Sequence, residues 1–383
     1  MSAPPLLRVT RLIARDFRNH ADLDLDLAAG RRFVALVGEN GAGKTNILEA
    51  LSLFAPGRGL RRADFSVMAR EGGAGGFAVS LSLSGPHGEH RVGTAWEPPR
   101  GREDARSGRL CRIDGATAPS PTAFAEHLRV VWLTPDLDAL FRGAAGERRR
   151  FLDRLVLAVD AGHGARVSAL ERALRSRNRL LEERPDDGPW LDAVEREVAE
   201  LAVAVALARR ETVERLDQLI LSTRDEASPF PWAGVRLEGD IDDLVAVWPA
   251  VDAEDRFRAT LRQNRFRDRA AGRTLAGPQA SDLVVRHGPK DVPAATASTG
   301  EQKALLIGLV LAHARLVAGM SGLPPLVLLD EVAAHLDPRR RAGLFDALAA
   351  LPGQVWMTGA DPALFAELSD RADVVAVAEG RIA

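Results

Sequence analysis

The residues of this 383-residue chain best suited to do chemistry lie in two short segments far apart in the sequence. The first, Gly38-Glu39-Asn40-Gly41-Ala42-Gly43-Lys44-Thr45, has the spacing G-x-x-x-x-G-K-[ST]. Glycines in such a loop let backbone N–H groups converge on nucleotide phosphates, and the N-terminus of the helix that follows adds a favourable dipole. Lys44 supplies a point charge, and the Thr45 hydroxyl is a ligand for Mg2+. The second segment, Pro325-Leu326-Val327-Leu328-Leu329-Asp330-Glu331, ends an apolar run in two acids. Asp330 would complete the metal shell, and Glu331 would orient or deprotonate the attacking water as general base. An apolar strand ending in two acids is common by itself. Beside a glycine loop it reads as the other half of a site that holds and cleaves a nucleoside triphosphate.

Such a site needs elements that hold it. Phe33 to Val37 is a continuous apolar run of the kind buried on both faces of a sheet, and Asn46-Ile47-Leu48-Glu49-Ala50-Leu51 resumes at helical spacing after the loop. Strand-like alternation also marks Leu7, Val9 and Leu12, then Leu23, Leu25 and Leu27, then Phe77 to Leu83, Leu110 to Ile113 and Val130 to Leu133. The Gly/Pro/Arg-rich stretch Glu97 to Gly108 reads as a surface loop. Near Gly146 the texture changes. Glu147–Glu183 and Trp190–Glu226 are rich in Arg, Glu, Leu and Ala at helical spacing, separated by the turn-forming Arg184-Pro185-Asp186-Asp187-Gly188-Pro189. The expectation is an antiparallel helical hairpin with arms on the order of 50 Å. A short strand at Val235–Leu237 and an Arg-rich helix over Glu254–Ala270 follow it. The α/β texture then returns, with a helix over Leu305–Val317, a strand over Leu326–Leu329, a helix over Gly343–Leu351, and strands at Val355–Thr358 and Val374–Val377. The implied division is 1–145 and 276–383 as two parts of one α/β head, with 146–275 inserted as a helical arm.

A third element, Ser298-Thr299-Gly300-Glu301-Gln302-Lys303, opens the helix that begins near Glu301. It resembles the signature motif of ABC-type ATPases, although a serine capping any helix looks alike. Ala334-His335-Leu336-Asp337 is similar to the D-loop of the same class. The chain as a whole resembles the RecF family of bacterial recombination mediators, within the SMC/Rad50-like ATPases. The resemblance rests on Phe17-Arg18-Asn19, on the run Gly38 to Ala50, on Arg148-Arg149-Arg150-Phe151-Leu152-Asp153, on Gly277-Pro278 and on Ser298 to Lys303. The stretch from Lys44 to Asp330 is too long for a transporter ATPase and far too short for the coiled coils of SMC chains.

The resemblance implies a fold and a function. The fold is an ABC-type ATPase head carrying a short antiparallel coiled-coil arm. The protein would bind ATP and Mg2+, hydrolyse ATP slowly under stimulation by DNA, and dimerise head to tail. Gly38 to Thr45, Ser298, Gly300 and Asp337 would hold nucleotide, with Ser298 and Gly300 acting across the dimer. Lys44 and Glu331 would be catalytic, and Thr45 and Asp330 would hold the metal. Partners would be single-stranded and duplex DNA at gaps, together with RecO and RecR, and RecA indirectly. The rival readings are the nucleotide-binding subunit of a transporter and a static DNA-bridging protein. Two departures stand out. The family's Gly-Pro-His-Arg is here Gly277-Pro278-Gln279-Ala280, and no glutamine precedes Gln218 where transporters carry one. At that place stands Leu133-Thr134-Pro135-Asp136, so Asp136 is a candidate assistant to the metal site.

Composition bounds the rest. With 51 basic and 53 acidic residues the net charge is -2, which excludes a histone-like cation and leaves only local patches for a polyanion. The candidates are Arg148-Arg149-Arg150 and the segment Glu254–Arg273, whose seven arginines outnumber three acids. Few aromatics interleave there, so backbone contact with duplex is expected and base stacking is not. Arg265 and Arg267 are the test positions. Only three of the basic residues are lysines, Lys44, Lys290 and Lys303; Lys303 either touches phosphate or simply sits on its helix. No apolar run reaches the roughly 20 residues of a spanning helix. The first residues lack a signal-type apolar core, and Cys111 is the single cysteine, expected to be a packing residue. A reducing cytoplasm is the expected location.

Overall fold

A computed structural model describes residues 7–27, 31–86, 88–99, 108–368 and 370–383. Much of the expected loop Glu97–Gly108 lies outside the described residues. The chain forms two compact units, one of residues 1–138, 227–230 and 306–383, the other of residues 139–226 and 231–305.

The first unit is built on a sheet whose central strand is Phe33–Val37. All five of its residues are buried, as the unbroken apolar run requires. Val355–Gly359 and Ala372–Ala378 flank it, both parallel to it. Beyond Val355–Gly359 come Leu326–Leu329 and then Val130–Leu133, again parallel, while Arg381–Ile382 adds an antiparallel edge. Because these strands run the same way, Gly38, Asp330, Thr134 and Gly359 emerge at one edge, where open parallel sheets bind ligands. A second, antiparallel sheet runs in the order His20–Asp26, Arg8–Phe17, Phe77–Gly85, Gly88–Trp96, Arg109–Ile113 and Ala116–Ala118. Its alternating faces put Leu12, Phe17, Leu23, Val79, Leu81 and Val92 into one core with the helix Lys44–Ser52. Cys111 is buried in that core as a free thiol, the expected packing role. Gly88–Trp96 had no visible strand signal because Gly93 and four charged or polar side chains interrupt its apolar positions.

In the second unit the hairpin forms, but its first arm is broken. Helix Ala145–Val159 stops at Asp160-Ala161-Gly162, and a separate helix, His163–Glu183, packs against Gly188–Ser222. The 35-residue arm is about 52 Å long and its 21-residue partner about 32 Å, so only one arm has the expected reach. Small and branched residues fill the seam, among them Leu170, Ala173, Val198, Ala202 and Val205. The expected Arg-rich helix is two helices, Ala250–Gln263 and Arg265–Ala271, meeting at Asn264, and an unforeseen helix spans Asp240–Val247. The unit also extends well past residue 275. Strand Asp282–His287, also unforeseen, pairs antiparallel with Ala233–Glu238 and so ties the following segment to the arm's base.

Helix Thr299–Ser321 meets the length and hydropathy of a membrane span, yet 67% of its apolar window is buried within the protein. It is a core helix.

Candidate functional site

The phosphate loop is shaped by close approaches that admit no side chain. A Cβ at Gly43, where φ is 113°, would lie 2.8 Å from the side chains of Asn19 and His20; one at Gly38 would lie 2.1 Å from the Val377 carbonyl oxygen. Helix Lys44–Ser52 starts at Gly43 with no side-chain cap, leaving the N–H groups of its first turn for an anion. Lys44 is 4% exposed and donates from Nζ to the carbonyls of Gly38 (2.6 Å) and Glu39 (2.7 Å). Glu39, Asn40 and Gly41 are exposed along the rim, whereas Ala42 is buried beneath it.

The Phe17-Arg18-Asn19 run supports this loop from behind. Asn19 donates to the Ala42 carbonyl (3.2 Å), and the buried ring of His20 lies between the carbonyls of Gly43 (3.1 Å) and Gly380 (2.7 Å). Arg18 forms a two-pronged ion pair with the fully buried Glu49, at 2.8 and 2.6 Å, and Arg61 joins the same carboxylate at 3.1 Å. That geometry gives the Asn46–Ala50 segment its structural task. Glu49 anchors the helix, and a buried carboxylate needs the paired guanidinium.

At the sheet edge, the Thr45 hydroxyl donates to Asp330 Oδ1 at 2.9 Å. The same oxygen accepts from the Thr358 hydroxyl at 2.8 Å. Thr358 lies on Val355–Gly359, the strand between those that lead to Gly38 and Asp330, and so bridges the two segments. It also accepts the Glu331 N–H at 2.8 Å. Glu331 adopts φ 54°, a left-handed conformation that costs a non-glycine residue energy and is typical of functional positions. Burial pushes the Asp330 carboxyl above its usual range, partly opposed by its hydrogen bonds from Thr358 and Thr45. A hydroxyl and a carboxylate so placed are hard oxygen donors, which suits Mg2+, an ion held by one or two protein oxygens with phosphates and water. No group of three or more His, Cys, Asp or Glu able to hold a metal occurs among the described residues.

Thr358 escaped the sequence reading, because one threonine at a strand's end forms no pattern. So did Thr134, which is 5% exposed with its hydroxyl unpartnered. It directly follows Leu133, whose carbonyl accepts the Asp330 N–H at 2.9 Å. Asp136, the residue favoured there, is exposed on the turn Pro135–Ala139.

Ser298 and Gly300 belong to the second unit, and both are exposed. Ser298 and Glu301 form a reciprocal capping box. The serine hydroxyl and N–H both donate to Glu301 Oε2 (2.9 and 3.0 Å), and the Glu301 N–H donates back to Ser298 Oγ at 3.4 Å. Lys290 pairs with Glu301 at 2.5 Å, and together with these bonds it holds the carboxyl down to about 2. Lys303 is half-buried on the same helix. Asp337 caps helix Pro338–Ala349 by accepting the Arg340 N–H at 2.9 Å.

The two basic candidates need correction. Arg148 is held by Asp282 through two bonds (2.8 and 2.7 Å), and Arg149 donates to the Ser281 carbonyl, so of the triplet only Arg150 is exposed. Arg265 is bound to Glu195 and Asp192, each at 2.5 Å, which makes it a helix-to-helix tie rather than a free cation. Arg267 is exposed with no ion-pair partner among the described residues. In the Gly277 loop, Gln279 turns back to the carbonyls of Ala276 (2.7 Å) and Thr274 (3.3 Å), and Pro278 accepts from Arg209.

Comparison with known proteins extends over the whole chain. The sequence pattern of the RecF/RecN/SMC N-terminal domain family matches residues 8–382. The "DNA replication and repair protein RecF" of Mesorhizobium japonicum is 53% identical over 379 residues, covering 99% of this chain and 98% of its own. The protein of that name from Rhizobium meliloti is 51% identical, covering 99% of each. Among solved structures, the "recombination mediator protein RecF-ATPrS in RecFOR pathway" superposes with a TM-score of 0.85 at 18% identity, over 100% of this chain and 99% of the other. An SMC head bound to the C-terminal winged-helix domain of ScpA gives 0.54 at 15% identity, over 98% and 97%. At such identities these two likenesses speak to the fold, an ABC-type ATPase head of mixed α/β structure.

Proposed function

Because this chain belongs to the RecF family of the SMC/Rad50-like ATPases, we propose that it is an ATP-dependent DNA-binding protein of replication and recombinational gap repair, switching by slow hydrolysis. The observation that carries the reading is the direct Thr45–Asp330 contact at 2.9 Å, which unites the two chemistry-bearing segments of the sequence. The phosphate loop receives the triphosphate on its backbone N–H groups and Lys44. Thr45 and Asp330 hold Mg2+, which when bound neutralises charge on the phosphates. Glu331, fixed through its N–H by Thr358, orients and deprotonates the attacking water. Ser298 and Gly300, exposed at a helix start, complete the site of a second copy in an ATP-dependent head-to-tail dimer, with Asp337 beside the nucleotide. The chain would act in the cytoplasm at single-strand gaps with RecO and RecR, assisting RecA loading. No observation favours the transporter or static-bridge readings.

The test is a pair of variants. Lys44→Ala abolishes ATP binding, and Glu331→Gln binds ATP and accumulates as a dimer in light scattering. A Glu331→Gln protein saturated with ATP yet monomeric would refute the composite site.

A further inference from the structure

Short helix Arg265–Ala271 presents a surface that nothing in the ATPase site uses. Its inner side is fixed. Asp268 is 1% exposed and bound by the fully buried Arg177 at 2.8 Å, while its other oxygen accepts the Leu275 N–H. Arg265 is tied to Asp192 and Glu195 on the first turns of Gly188–Ser222, and Arg262 also pairs with Asp192. The helix is therefore clamped to the tip of the arm, and its outer side is open.

Phe266 is 85% exposed there, the most exposed large apolar side chain described. Arg267 and Arg269 follow it on the same helix and Arg273 lies just past the helix end, all exposed and without ion-pair partners among the described residues. Asp268, the one acid of the segment, is already neutralised within the core. Trp190, 61% exposed, precedes Asp192 by two residues and so lies at the same end of the arm.

We propose that Phe266, with Trp190, is a stacking platform for the bases of a single-stranded nucleic acid whose phosphates are drawn by Arg267, Arg269 and Arg273. An exposed aromatic leaves water favourably against a base face, which only an unpaired strand offers, and over residues 265–273 the exposed charges are all cationic, which complements a polyanion. This inference rests on the DNA-binding reading above and reverses the expectation that stacking plays no part.

The test uses the full-length protein with Mg·ATP, a fluorescein-labelled oligothymidylate and a duplex of mixed sequence. Phe266→Ala and Trp190→Ala, at exposed positions, should keep the native circular dichroism. Phe266→Ala is expected to weaken oligothymidylate binding roughly tenfold or more and to leave duplex affinity unchanged. Arg267→Ala with Arg269→Ala should weaken single-strand binding and lower its salt slope by about 0.7 for each arginine removed. Unchanged single-strand affinity in Phe266→Ala overturns the proposal while duplex binding still upholds the DNA reading. Wild-type protein that binds neither nucleic acid overturns both.

Discussion

Asp330 shows how much can depend on a few hydroxyls. Its carboxylate is 6% exposed and receives two of them, from Thr45 and Thr358. Thr358→Val removes the second and also leaves the Glu331 N–H without its acceptor. The expected outcome is a turnover reduced at least about tenfold with ATP affinity little changed, since Thr358 bonds to Asp330 and Glu331, the proposed metal ligand and base, and not to the phosphate loop. Parallel measurement of turnover and nucleotide affinity checks this; equal losses in both would mean that Thr358 merely holds the sheet edge together. The meeting of Thr45 with Asp330 was legible in the sequence, because phosphate chemistry prescribes residue types at fixed spacing and so singled out both segments. Thr358 and Thr134 were not, because their importance comes from strand order, which brings together residues with no sequence relation.

Elements in the arm are joined by buried charge. Arg177, fully buried, binds Glu195 at 3.1 Å, Asp268 at 2.8 Å, the Thr274 hydroxyl at 2.7 Å and the Leu261 carbonyl at 2.8 Å, linking four segments. Arg177→Met leaves two buried carboxylates without this partner and should cost about 3–5 kcal/mol, read as a lower urea midpoint. A loss below about 1 kcal/mol would mean that water reaches the pair. Asp242 is the opposite case, 5% exposed with no well-formed hydrogen bond to either oxygen, and burial pushes its carboxyl up, opposed only in part by the nearby Ser281 hydroxyl. A raised carboxyl favours folding at pH below its unfolded value, and that contribution disappears as pH rises through the folded value. Asp242→Asn should therefore gain about 1 kcal/mol or more over wild type at pH 7 and lose the advantage near pH 4. A pH-independent difference in midpoint would contradict the burial argument. The hairpin was legible from its 3.6-residue apolar period, whereas the break at Asp160-Ala161-Gly162 and the late strand Asp282–His287 were not. The strand is held by its pairing with Ala233–Glu238, and no local pattern announces such a partner.

For the whole molecule, a net charge of -2 means that any affinity for DNA comes from local arrangement. Many arginines that look available in sequence are bound to neighbouring acids, as Arg148 and Arg265 are. Charge counting therefore overestimated the basic surface, because it cannot distinguish an internal tie from a free cation. What the account requires is a surface assembled when ATP joins two heads, and the decisive measurement addresses that directly. Glu331→Gln protein is titrated onto duplex and gapped DNA with Mg·ATP or Mg·ADP, at two salt concentrations. The account predicts tight, salt-dependent binding with ATP and weak binding with ADP. Equal affinity in the two nucleotide states would contradict it.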